Sequence, residues 1–279
     1  MNLGAAYSDE LYARGLPRRL RRALELGWRY YVWDLPRYAW YRRGVGLKAL
    51  DLQAITNPIV EFFDRKDKDG EPHVGFDDAL SCLARAGVRL TLPPSRIGAL
   101  ARCWERTAPA PGDVIECGSY RGATGLLLAL LGKLRGRPQK VLLLDTFRGS
   151  PGGCAFDSLR TTREYVLPED HVGALRRQAE ALGVNDRIEV HQGTFQESFE
   201  RLATRDARFA LAHIDANLYQ STLEACRFVI PRVAAGGAVV FDDYHGPCDL
   251  GARLAIDQFL APAGQRPRRL AGSSAVLWK

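Results

Sequence analysis

Residues 113–122 read DVIECGSYRG, a short apolar run of strand type that ends in two glycines four residues apart. Helical spacing over 124–134 follows at once, and the alternation then repeats. VLLLDTF (141–147) is a second strand and 170–182 a second helix; RIEVHQG (187–193), FALAHID (209–215) and GAVVFDD (237–243) are further strands. A helix over 220–233 lies between the last two, and another covers 251–260. Two short β-like pieces, 268–270 and 275–278, follow. Apolar runs without a helical period suit strands buried on both faces. Their alternation with helices implies right-handed crossovers and a mostly parallel sheet covered on both sides, an α/β domain over 109–279.

Upstream of the loop at 109–112, residues 1–108 carry helix and loop signals without a strong strand signal, so a helical N-terminal extension is expected there. The composition, 46% apolar and 25% charged, excludes a disordered, collagen-like or coiled-coil chain. None of the six cysteines forms a C-x-x-C pair, which argues against a zinc or redox motif. The first residues show no basic stretch leading into an apolar one, and the longest apolar run, 126–131, is too short to cross a bilayer. A cytoplasmic protein is the expectation. The net charge of +7 is concentrated in residues 11–48, where ten Lys or Arg face only Glu25 and Asp34.

In an open α/β sheet, ligands bind at the carboxyl ends of the strands, where strand order reverses. The first strand ends in Glu116, Cys117, Gly118, Ser119, Tyr120, Arg121 and Gly122. Its glycines permit a tight turn, but the spacing is not that of the dinucleotide fingerprint, so an NAD site is disfavoured. Asp145 ends the second strand, where a carboxylate can accept both hydroxyls of a ribose or cap a helix. Asp215 ends one later strand and Asp242 and Asp243 the next. If those strands are neighbours, three carboxylates converge, and they repel one another unless a cation neutralises them. An all-oxygen donor set suits Mg²⁺, Mn²⁺ or Ca²⁺.

The segments ECGSYRG, DTF, GTF, HIDANLYQST, GGAVVFDDY and GARLAID resemble the macrocin O-methyltransferase (TylF-like) family over about residues 110–262. That resemblance implies a Rossmann-like class I methyltransferase with a mostly parallel, seven-stranded sheet. It implies transfer of a methyl group from S-adenosylmethionine (SAM) to a sugar hydroxyl of a natural product, with Mg²⁺ or another hard dication. Carried over position by position, Glu116, Gly118, Ser119, Tyr120 and Gly122 would line the methionine and ribose part of SAM. Asp145, Thr146 and Phe147 would hold the ribose side, Gly193 and Phe195 would lie near the adenine, and Asp215 would stand close to the cofactor. Asp215, Asp242 and Asp243 would bind the cation. Many members carry an aspartate, the usual general base, where this chain has Asn217, and an amide cannot take a proton near neutral pH.

An alcohol, with a pKa of about 15–16, needs activation, which a dication supplies by stabilising the developing negative charge. The expectation is that the metal does most of this work and that water, or His245 in the adjacent loop, removes the proton. His213 lies on the same strand face as Asp215 but deeper, and reads as a satisfied core histidine. The basic, aromatic segment 11–48 admits three readings. It can be a lid or homo-oligomer contact, a helix on an anionic membrane surface, or a nucleic-acid patch. The last is disfavoured, because the core lacks the Asn-Pro-Pro-Tyr type of element found in base-modifying enzymes. The partner expected is a small-molecule hydroxyl acceptor. A phenol, a lipid-linked glycan, or a non-catalytic binding role on the same scaffold stand as alternatives.

Overall fold

The computed structural model describes residues 75–157, 165–246 and 249–279. The segment 11–48 and the first part of the expected N-terminal extension lie outside these residues, as does Cys248. Two helices come first, α1 (Phe76–Arg85) and α2 (Pro94–Arg106). Then β1 (Asp113–Cys117), α3 (Ala123–Leu134), β2 (Val141–Asp145), α4 (His171–Leu182) and β3 (Ile188–Gln192) build one half of a sheet. The other half comprises α5 (Phe195–Ala203), β4 (Phe209–Ile214), α6 (Tyr219–Val229), β5 (Val233–Phe241), α7 (Leu250–Leu260), β6 (Arg268–Arg269) and β7 (Ala275–Trp278).

The seven strands run in the order β3-β2-β1-β4-β5-β7-β6. The pairings from β3 to β5 are parallel, and β7 is antiparallel to both neighbours. Two apolar layers cover the sheet. One packs α3 and α4 with α1 and α2 on one face, and the other packs α5, α6 and α7 on the opposite face. Helix α3 (ATGLLLALLGKL) is apolar nearly all round because it lies under α1 and α2 as well as on the sheet. The loop at 109–112 is therefore not a break in packing: Leu83, Leu90, Ile97 and Trp104 share one core with Leu126 and Leu143.

Two helices depart from the sequence expectation, one in its end and one in being unexpected. The helix expected over 220–233 ends at Val229, because Pro231 has no N–H to donate and turns the chain through a short 3₁₀ segment into β5 at Val233. Helix α5 was not foreseen. It is set by Thr194, whose side chain accepts from the Glu197 N–H while the Glu197 carboxylate accepts from the Thr194 N–H, a capping box.

Candidate active site

From β1 the chain winds outward through β2 and β3, then returns to β4 on the other side, so the switch point lies at the carboxyl ends of β1 and β4. Gly118 lets these ends close on one another. Its φ is 92°, and a Cβ there would overlap the Asp215 carbonyl. The Asp215 N–H donates to the Cys117 carbonyl at 2.8 Å, and that of Asp242 to the Ile214 carbonyl at 3.0 Å. Asp215 and Asp242 thus leave adjacent strands at the same level. Asp215, Asp242 and Asp243 each offer one oxygen, all within 4.8 Å of one another. A cavity of about 500 Å³ opens over them and runs to Tyr120, Asp145, Thr146 and Phe195.

Burial pushes the Asp215 carboxyl up, and the charges of Asp242 and Asp243 push it further. Asp243 is pushed up to about 6 by burial and by Asp242. Burial acts on Asp242 as well, but the Arg96 guanidinium, with His213 and Ser274 behind it, overrides burial and holds that carboxyl low. Arg96, in the first turn of α2, pairs with Asp242 Oδ2 and donates to Ser273 Oγ at 2.7 Å. Ser274 Oγ donates to Asp242 Oδ1 at 2.9 Å. Asn217 Nδ2 donates to Asp215 Oδ1 at 3.1 Å and to Asp243 Oδ2 at 2.8 Å. Beneath the cluster, His213 is 1% exposed, with Nδ1 3.0 Å from Glu116 Oε1 and Nε2 3.8 Å from Asp242 Oδ1. Burial opposes its charging, yet the two carboxylates prevail and its pKa rises to about 10. The histidine is a core residue, as expected, paired closely on one side only.

At the other end of the cavity, Asp145 accepts the Tyr120 N–H at 2.8 Å and the Phe147 N–H at 2.7 Å. Burial raises its pKa, while these amides pull it back. It therefore fixes two loops and also faces the cavity.

Of the residues expected in the site, Gly118, Tyr120, Asp145, Thr146, Phe195, Asp215, Asn217, Asp242 and Asp243 line the cavity. Six do not. Glu116 turns its carboxylate inward to His213, and Ser119 Oγ bonds the Glu116 carbonyl at 3.4 Å. Gly122 caps α3 against Leu175, Phe147 is buried, and Gly193 makes room for Glu197 of the capping box. His245 is 5% exposed, packs its ring edge-on against Tyr244 and forms no part of the cavity wall. A role for it in taking the acceptor proton gains no support from this placement. The cavity also includes Arg96, Thr194, Ser221 and Asp249, which sequence reasoning missed. Thr194 carried a usable signal, the T-x-x-E of a capping box. Arg96 carried none.

The profile of the macrocin-O-methyltransferase (TylF) family matches residues 91–266. The chain belongs to this family. Among curated relatives, the 8-demethyl-8-(2,3-dimethoxy-alpha-L-rhamnosyl)-tetracenomycin-C 4'-O-methyltransferase of Streptomyces olivaceus is 32% identical over 143 residues, 48% of this chain and 53% of that protein. The demethyldecarbamoylnovobiocin O-methyltransferase of Streptomyces niveus is 29% identical over 164 residues, 54% of this chain and 59% of its own length. The match spans little more than half of either relative. Among solved structures, the calicheamicin methyltransferase CalS11 superposes with a TM-score of 0.62 at 18% identity, covering 83% of this chain and 97% of that one. The O-methyltransferase NovP gives 0.60 at 21%, covering 69% and 82%. The TylF member described here thus has the class I methyltransferase fold. No helix among its described residues is long and apolar enough to cross a membrane.

Proposed function

We propose that this chain is a SAM-dependent O-methyltransferase that methylates a sugar hydroxyl on a glycosylated natural product, with a divalent cation at Asp215, Asp242 and Asp243. The observation that carries the reading is the single cavity joining Asp145 at the end of β2 to three carboxylates at the ends of β4 and β5. The relative named for methylating a rhamnosyl tetracenomycin favours a glycosylated acceptor.

The donor set fits a hard dication, being all oxygen, and Asp215 and Asp243 pay for their crowding in raised pKa values. Bound there, such an ion would stabilise the charge that develops on the acceptor oxygen and orient neighbouring hydroxyls. SAM, an alkylating sulfonium, would supply the methyl group from the Asp145 side. Asp145 would accept from its ribose, with the Tyr120 and Phe147 amides holding that carboxylate in place. Gly118, between Asp145 and Asp215, has no side chain to stand between the two partners, since a Cβ there would meet the Asp215 carbonyl. Asn217 orients Asp215 and Asp243 through its N–H groups and cannot itself take the proton.

Calorimetry with S-adenosylhomocysteine and with Mg²⁺ tests the two halves separately. The thioether should bind at micromolar or better affinity and weaken at least about tenfold in Asp145→Ala, equivalent to ~1.4 kcal/mol. Mg²⁺ binding should be lost in Asp215→Ala. Methyl transfer to glycosylated natural products but not to their aglycones is the expected acceptor preference. No binding of the thioether, or methylation of aglycones alone, would overturn the corresponding part.

A further inference from the structure

Asp242 is engaged at both oxygens in this structure, Oδ1 by Ser274 and Oδ2 by Arg96, with the His213 ring 3.8 Å from Oδ1 on the buried side. A cation held by all three carboxylates needs an Asp242 oxygen, and it would arrive beside a guanidinium that cannot lose its charge. The two positive groups repel and want the same ligand.

We propose that Arg96 is a built-in counter-ion that competes with the divalent cation for Asp242 and so sets the metal affinity of the site. The inference rests on the cation reading given above. Arg96 is not needed as an anchor for α2, because Ile97, Leu100, Ala101 and Trp104 already fix that helix in the core. Its side chain is 18% exposed, against 3% for Asp242, and it forms part of the cavity wall, so it has space to withdraw into. Asp242 therefore exchanges one cation for another, and the carboxylates need not be left uncompensated when the metal departs. The remaining carboxylates keep their own donor in Asn217 throughout.

Direct Mn²⁺ binding to the full chain, followed by electron paramagnetic resonance without substrate, tests this. Arg96→Gln should bind Mn²⁺ more tightly than the wild type by about 5- to 100-fold, the usual range for coupling between two sites. Arg96→Lys, which keeps the charge but loses the planar fork, should fall between them. S-adenosylhomocysteine affinity should be the same in all three. Mn²⁺ binding by Arg96→Gln that is equal to or weaker than wild type would mean that Arg96 holds Asp242 in place for the metal, and the counter-ion proposal fails while the cation reading stands. Should Arg96→Gln not fold by circular dichroism, an unchanged affinity in Arg96→Lys overturns the proposal equally. If no variant, and not the wild type, binds Mn²⁺, the cation reading falls and the inference with it.

Discussion

Asn217 has a φ of 57°, in the left-handed region where asparagine is tolerated better than most side chains, and its amide bridges Asp215 and Asp243. An aspartate at this position would replace a donor by a fourth carboxylate. In EDTA, Asn217→Asp should therefore lose about 1–3 kcal/mol of stability by urea unfolding, as expected when buried acceptors lose their donor. Mg²⁺ should recover most of that loss. Asn217→Ala removes the donor without adding charge and should lose less. An Asn217→Asp protein as stable as wild type in EDTA would contradict the bridging role. Sequence reading reached Asn217 by asking which proton acceptor it displaces. Its place between two carboxylates gives it a different task, holding charges together.

At the level of elements, two small features set the geometry of the cavity. Gly118→Ala combines a positive φ with an overlap on the Asp215 carbonyl, so it should cost about 1–3 kcal/mol, the range for forced overpacking, and widen the gap between β1 and β4. Thr194→Ala removes one arm of the capping box and should cost about 1 kcal/mol while leaving the sheet intact. Thermal unfolding distinguishes them, since a Gly118→Ala protein with wild-type stability would mean that the strand ends can separate freely. The strands were legible because parallel strands, buried on both faces, are written as unbroken apolar runs. The convergence of Asp215 with Asp242 followed from their positions at the ends of strands that prove adjacent. Glu116 and Gly122 were not legible as packing residues. Strand-end position alone does not say whether Glu116 faces the cavity or His213, nor that Gly122 meets Leu175. Arg96 was illegible for a different reason. It lies 146 residues from Asp242 and no local pattern signals so distant a pair.

For the molecule as a whole, both apolar layers hide thiols. Burial pushes Cys103 up to about 11 and raises Cys117 and Cys226 as well. A thiol reacts as its thiolate, and these three form one only well above the ordinary pH range. Alkylation of the native protein at pH 8 should therefore spare Cys103, Cys117 and Cys226 and reach the exposed Cys154, with all of them labelled after denaturation. Peptide mass spectrometry reads the pattern, and labelling of Cys226 in the native state would show that the α6 face opens. The sheet also has a consequence for synthesis. Strand β7 is made after every other element described here, yet it inserts between β5 and β6, and the turn before it brings Ser273 and Ser274 to Arg96 and Asp242. A nascent chain that has released β5 but not β7 already carries its acidic pair without those hydroxyls. Ribosome-bound intermediates should accordingly hold the β1–β3 half and an acidic cluster that gains its hydroxyl partners only when β7 emerges.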